Sequence, residues 1–193
     1  MSDALSVADP YPDAPVTVAR LIYHDTLVLL RLKTAPRLRG SREAHFILGT
    51  DYAVSYETGD GARVRLTVPR GMVTDLASVP PVFRSLVSRT GPWVEAAVVH
   101  DFLTIAWRAM DGVGSAERRR FADEVMLAGM TAAGVDRARR GLIYAGIRAA
   151  ALAGYPQRQR PRPWSDFSVD LAAPDIVAQL PRGLGAGDGT RTA

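Results

Sequence analysis

The sequence lacks cysteine and holds a single lysine, Lys33, among 24 basic residues. Without cysteine there can be no disulfide, no thiolate metal ligand and no cysteine nucleophile. The chain also lacks an apolar run long enough to cross a bilayer, because the longest candidate, residues 141–155, is short and contains Arg148. The first residues are acidic and include proline, which is not the pattern of a signal peptide. We therefore expect a soluble protein.

The overall composition is that of an ordinary globular domain. Apolar residues make up 47% of the 193 positions and charged residues 23%, with a net charge of +4. This length supports one domain with a core of its own. We expect a flexible N-terminus over residues 1–15, a single domain over 16–154, and a mobile tail over 155–193 that is rich in proline, arginine and glycine.

Arginines concentrate at residues 118–120, 137–140 and 158–162. A basic surface of this kind could bind nucleic acid or anionic lipid. A solvated, arginine-rich surface accounts for the same clusters, and neither zinc-finger spacing nor an aromatic-flanked RNA motif accompanies them. We favour the solvated surface and expect no nucleic-acid partner.

The first half of the chain has the pattern of β-strands. Aliphatic and β-branched runs occupy residues 16–32, 45–56 and 62–68, and a glycine-containing turn separates the last two. In the last run, apolar residues alternate with arginine and threonine. This predicts a strand whose buried face consists of Val64, Leu66 and Val68. Pro69 ends this strand, and residues 70–89 are expected to be irregular.

The second half has the pattern of three helices. An apolar run over residues 93–110 predicts the first, with Pro92 as its opening residue. Ser115 is a good N-cap for the second helix and Gly134 a good C-terminal stop, and the third opens at Asp136. The sequence therefore predicts an α+β fold, in which a small antiparallel sheet is followed by an antiparallel helical hairpin and a third helix.

His100 and Asp101 interrupt the apolar run of the first predicted helix. Alanine, leucine and threonine lie three and four residues from His100, so we expect its imidazole to be buried. Asp123 has leucine and methionine at the same spacings in the second helix, whereas Arg119, nearer the start of that helix, is expected to be solvated. Because unpaired buried charges are costly, each buried group needs a partner.

The spacing of His100 and Asp123 predicts that these two side chains meet. A short link around Gly112 makes the two helices antiparallel neighbours, with His100 about 12 residues before it and Asp123 about 11 after. A carboxylate on one ring nitrogen orients the imidazole and leaves the other nitrogen to take a proton from water. The alternative is a buried pair that only ties the two helices together.

A second candidate is the loop sequence TDLASVP over residues 74–80. Its polar side chains, Thr74, Asp75 and Ser78, suit either a rigid turn or a ligand-binding loop between sheet and helix. The remaining histidines lack converging carboxylates, so we expect turn or surface positions for His24, Asp25 and His45.

Three ordered motifs carry a resemblance to a known family. They are TDLASVP (74–80), AAVVHDFL (96–103) and FADEVMLAGMTAAGV (121–135). With them, residues 69–154 resemble a domain of unknown function, DUF1353, of bacteriophages, prophages and bacteria. The resemblance implies a place in the host cytoplasm or the virion and other phage proteins as partners, but no particular activity.

The paired helices are also similar to the core of secreted, bacterial and parvoviral phospholipases A2. This similarity implies that His100 is the general base, that Asp101 binds Ca²⁺ and that Asp123 orients His100. Thr104 stands where those enzymes commonly have tyrosine, and no glycine-rich calcium loop precedes His100. The implied function is a phage-associated hydrolase of phospholipid esters that acts at a membrane surface. The alternative is a non-enzymatic virion structural or assembly protein of the tail or connector.

Overall fold

The structure is a computed structural model that describes residues 9–31, 46–74, 76, 91–106 and 115–152. The described part holds six strands followed by three helices, which confirms the predicted α+β class. The strands are β1 (Val18–Tyr23), β2 (Leu29–Arg31), β3 (Phe46–Leu48), β4 (Tyr52–Thr58), β5 (Arg63–Val68) and β6 (Val73–Thr74). The helices are α1 (Val94–Ile105), α2 (Ala116–Ala132) and α3 (Arg137–Leu152).

The strands form two antiparallel sheets of three, in the orders β1-β4-β5 and β2-β3-β6. The predicted strand over residues 45–56 is in fact two strands, β3 and β4, which belong to different sheets. Strand β6 lies in the segment that we expected to be irregular. It is only two residues long, so its pattern is too short to distinguish from a loop.

The turn between β4 and β5 forms as predicted, with Gly61 at φ +88°. Leu66 and Val68 are buried in β5, but Val64 is 40% exposed, so the prediction of burial was wrong at that position. Val64 pairs with Tyr56 near the start of β5, next to the turn. Alternation assigns a residue to a face of the sheet, but burial also needs another element above that face.

The helix ends follow local capping chemistry. The Ser115 hydroxyl accepts a hydrogen bond from the Arg118 amide at 3.0 Å, which confirms the predicted N-cap of α2. Gly134 has φ +72° just beyond the end of α2, as expected of a C-terminal stop. Helix α1 begins at Val94, so Pro92 lies in the preceding turn and is not the first helical residue. None of the described helices is long and apolar enough to cross a membrane.

Helices α1 and α2 are antiparallel and pack on the inner face of the β1-β4-β5 sheet. Ala96 approaches Gly129, and four residues later His100 meets Asp123, so the two helices run in opposite directions. The core between these helices and the sheet is apolar, and its largest members include Leu21, Tyr52, Tyr56, Phe102 and Leu103. Helix α3 packs on α2 through a second apolar cluster that includes Met126, Met130, Ile143 and Ile147.

Residues 9–15 belong to the segment expected to be flexible, and within them Tyr11 is only 8% exposed. Its hydroxyl donates a hydrogen bond to the Leu103 carbonyl near the end of α1, and its ring packs edge-on against Phe121 at 6.3 Å. The Arg118 guanidinium lies 4.8 Å from the centre of the Tyr11 ring. Tyr11 therefore joins the end of α1 to the beginning of α2.

Gly129 sets the distance between α2 and its neighbours. A Cβ at this position would lie 2.7 Å from the Tyr23 hydroxyl and 2.8 Å from the Ala96 Cβ. We therefore expect Gly129→Ala to lower the free energy of unfolding by about 1–3 kcal/mol, measured by urea denaturation. Gly141→Ala in α3 is the matched control, because a Cβ there meets nothing within 4 Å. It should raise stability by about 0.5–1 kcal/mol, and equal effects of the two variants would contradict this packing.

Candidate functional site

The candidate site begins with His100 in the middle of α1. Its side chain is 4% exposed, and Ala96, Ala97 and Leu103 of the same helix are buried beside it. Asp101 lies on the adjacent face and is half-buried. Because consecutive helix residues point about 100° apart, the two polar side chains leave α1 in different directions.

Asp123 faces His100 from α2 and has no exposed surface. The His100 Nε2 lies 2.9 Å from the Asp123 Oδ1, so the structure brings these two residues together at the level that the equal helix arms predict. An ionised carboxylate can only accept hydrogen bonds, so this contact assigns a proton to Nε2. In the neutral imidazole the lone pair is then on Nδ1.

Two arginines complete the surroundings of Asp123. The Arg119 Nε lies 3.2 Å from Oδ1, and an Arg148 terminal nitrogen lies 2.8 Å from Oδ2. The expectation that Arg119 is solvated was wrong, since its side chain is 11% exposed. Arg119 is four residues before Asp123 in α2, a spacing that could have revealed the pair. Nothing in the spacing indicates Arg148, because it comes from α3.

These donors determine the charge state of Asp123. Burial by itself raises the pKa of this carboxyl group, but the hydrogen bond from His100 and the nearby Arg148 and Arg119 guanidinium groups lower it, and the net pKa lies below the ordinary value. Asp123 is therefore an ionised carboxylate in an apolar interior, with donors from all three helices.

Asp101 belongs to a separate set of contacts. Its Oδ2 accepts a hydrogen bond of 2.5 Å from the Thr74 hydroxyl, which itself accepts one of 3.0 Å from the Leu76 amide. The Thr104 hydroxyl donates to the Asp101 backbone carbonyl at 2.9 Å and so binds its own helix. Asp75 and Ser78, the other predicted members of this loop, lie outside the described residues.

The predicted calcium site at Asp101 is only partly represented in the described residues. They bring one carboxylate and one hydroxyl together there, whereas Ca²⁺ takes six to eight oxygen ligands. Among the described side chains, no group of three or more metal-ligating residues converges. Calcium binding at Asp101 stays a prediction.

The other predicted positions are held by ordinary structural contacts. His24 is exposed, and its Nε2 lies 2.8 Å from the Ser55 hydroxyl oxygen. Asp25 accepts a hydrogen bond of 2.9 Å from the Ala53 amide and so supports the turn after β1. Both lie near the end of β1, as expected of turn residues, while His45 is outside the described residues.

The described arginine clusters are largely engaged within the protein. Arg120 lies 3.0 Å from Glu124, Arg118 covers Tyr11, and Arg139 lies 3.6 Å from Asp136 and 5.5 Å from the centre of the Trp93 ring. Arg119 contacts Asp123. The remaining described members are exposed Arg137 and half-buried Arg140, which approaches the Val135 carbonyl at 3.5 Å. These contacts give most of the arginines a role within the fold.

Comparison with known proteins places this site in a family. The family model for a protein of unknown function, DUF1353, matches residues 50–147, just over half of the chain. The chain belongs to this family. The matched region begins before residue 69, where the motifs alone place the resemblance, and so includes the β4–β5 hairpin as well as His100 and Asp123. No curated protein and no solved structure matches the chain.

Replacement of Asp123 tests the electrostatics of this site. We expect Asp123→Asn to lower the free energy of unfolding at pH 7 by about 3–5 kcal/mol, because it leaves His100 and two guanidinium groups without their shared carboxylate. Since the pKa of Asp123 is lower in the folded state, its stabilising contribution is complete at neutral pH. That contribution is lost as the pH falls below about 4 and through the folded-state value.

The measurement is urea denaturation of the wild-type protein and the variant between neutral pH and pH 3. The difference in free energy of unfolding between the wild-type protein and the variant should become smaller as the pH falls. Asp13→Asn at an exposed position is the control, and it should change the free energy of unfolding little at any pH. A difference for Asp123→Asn that stays constant over this range would contradict the assigned charge state.

Proposed function

We propose that this DUF1353 protein is a hydrolase whose general base is His100. The observation that carries the proposal is the 2.9 Å contact between His100 Nε2 and a fully buried, ionised Asp123. A buried carboxylate that fixes the tautomer and direction of an imidazole is an arrangement that supports general-base catalysis.

The proposed reaction is hydrolysis of an ester by water. The neutral ring of His100 takes a proton from water while the water oxygen attacks the ester carbonyl carbon, which gives an oxyanion intermediate and an imidazolium. Asp123 stabilises the positive charge that forms on the ring. The carbon–oxygen bond to the leaving alkoxide then breaks, and that alkoxide takes the proton from the imidazolium. The products are an acid and an alcohol, and the ring is neutral again.

The substrate class rests on the similarity to the paired helices of phospholipases A2. That similarity favours a phospholipid ester as the substrate and a membrane surface as the partner, with Ca²⁺ at Asp101. It comes from the His-Asp and Ala-Asp motifs alone, and the comparisons with known proteins add no support to it. When bound, the ion would supply positive charge close to the carbonyl oxygen of the substrate.

A second candidate is a non-enzymatic virion structural or assembly protein. One observation favours it: Asp123 accepts hydrogen bonds from His100 of α1, Arg119 of α2 and Arg148 of α3. Such a cluster stabilises the arrangement of three helices whether or not a reaction occurs at His100. The two candidates differ in what is lost on mutation, which is activity for the first and only stability or assembly for the second.

Ester hydrolysis distinguishes the candidates directly. The purified protein is assayed for fatty-acid release from vesicles of phosphatidylcholine and phosphatidylglycerol and for cleavage of p-nitrophenyl butyrate, with Ca²⁺ and with EDTA. His100→Gln should lower kcat/KM by about 10²- to 10⁴-fold, while Arg120→Gln at an exposed ion pair should not change it. If the folded wild-type protein hydrolyses neither substrate, or if His100→Gln retains full activity, the proposal is wrong.

Calcium binding has its own test. Calorimetric titration of the wild-type protein with CaCl₂ should show binding, and Asp101→Asn should abolish it, because the ion requires carboxylate oxygen. Asp13→Asn is the control at an exposed carboxylate and should bind as the wild type does. Absence of wild-type binding would remove calcium from the mechanism and leave the His100–Asp123 chemistry to be judged by the ester assay.

A further inference from the structure

The two oxygens of Asp123 have different partners. Oδ1 receives the His100 Nε2 at 2.9 Å and the Arg119 Nε at 3.2 Å, whereas Oδ2 receives Arg148 at 2.8 Å. A carboxylate group can rotate about the bond that joins it to Cβ, and this rotation would move Oδ1 out of line with the Nε2 of His100. A charge-assisted bond to the opposite oxygen opposes that rotation.

We propose that Arg148 is a positioning residue for the His100–Asp123 pair, with α3 as the element that delivers it. The catalytic meaning of this role rests on the proposed function, but the role itself is a property of the folded protein. Arg148 holds the plane of the carboxylate, and the carboxylate in turn holds the Nε2 proton of His100 in place.

Arg119 is less suited to this role. It binds the same oxygen as His100, so it shares Oδ1 and does not fix the opposite end of the carboxylate. It also belongs to α2, as Asp123 does, so its position relative to Asp123 is set within a single helix. Arg148 reaches Oδ2 from a different helix and at a shorter distance, which makes it the contact that depends on tertiary packing.

The packing of α3 explains how Arg148 is held there. Ile143 and Ile147 are buried in the cluster that joins α3 to Met126 and Met130 of α2. Arg148 follows Ile147 directly, and its side chain is 32% exposed, so the guanidinium lies at the edge of this apolar contact. Removal of its charge would leave Oδ2 buried without this donor, and we expect the carboxylate to turn toward Arg119.

The test is ¹⁵N NMR of the histidine rings, since a ring nitrogen that carries a proton differs clearly from one that does not. The chain has three histidines, so His24→Gln and His45→Gln variants assign the His100 signals. At a pH where the ring is neutral, the wild-type protein should show one tautomer, protonated at Nε2. Arg148→Met should lose this single-tautomer pattern, and Arg148→Lys, which keeps the charge, should restore it in part.

Arg137→Met is the matched control, because Arg137 is exposed in the same helix, and it should leave the ring signals unchanged. If Arg148→Met does not fold, Arg148→Gln takes its place, since it also removes the charge. If the role of Arg148 is purely structural, Arg148→Met will lower the melting temperature but keep the wild-type tautomer of the His100 ring. That result would overturn the proposal.

The ring measurement needs no substrate, so it separates this proposal from the proposed hydrolase. A change of tautomer in a protein without esterase activity would support the positioning role and reject the enzyme. In an active protein, Arg148→Met should lower kcat more than it raises KM, because orientation of the base matters mainly in the transition state. An unchanged tautomer rejects the positioning role whatever the activity.

Discussion

The buried charge of Asp123 is the constraint on which the helical half of this structure depends. A carboxylate with no exposed surface is tolerated only where hydrogen bonds and opposite charges replace the water that it has lost. The donors come from three different helices, since His100 lies in α1, Arg119 in α2 and Arg148 in α3. The position of each helix is therefore restricted by one acidic side chain, in addition to the apolar contacts that bring the helices together.

The sheet contributes by fixing α2, the central helix of the three. Gly129 allows the Tyr23 hydroxyl of β1 to come close to the α2 backbone, and it allows the same for Ala96 of α1. Glu124, next to Asp123 in sequence, lies 3.5 Å from the backbone amide of Val18 at the start of β1. Consecutive acidic residues of α2 thus point in different directions, one toward the sheet and one toward the other helices. This explains how a small sheet can determine the placement of Asp123, whose described hydrogen-bond donors come from the helices.

The sequence could predict the features that depend on local chemistry or on counting along a hairpin. Ser115 caps α2 because its hydroxyl meets an amide three residues away, and His100 meets Asp123 because the two helix arms have equal lengths. Arg148 could not be predicted in this way, since its partner is in another helix and no short link fixes their register. The exposure of Val64 and the short strand β6 could not be predicted for a related reason, because each depends on elements distant in the chain.

The same dependence on distant elements applies to the site itself. The contact between His100 and Asp123 joins α1 to α2, and Arg119 lies within α2. Oδ2 of Asp123 receives its donor from α3, and a buried carboxylate without that donor would be unfavourable. Docking of α3 removes that cost and orients the carboxylate at the same time. The site is therefore complete only with the third helix packed in place. The stability of the fold and the geometry at His100 both depend on the contact between Arg148 and Asp123.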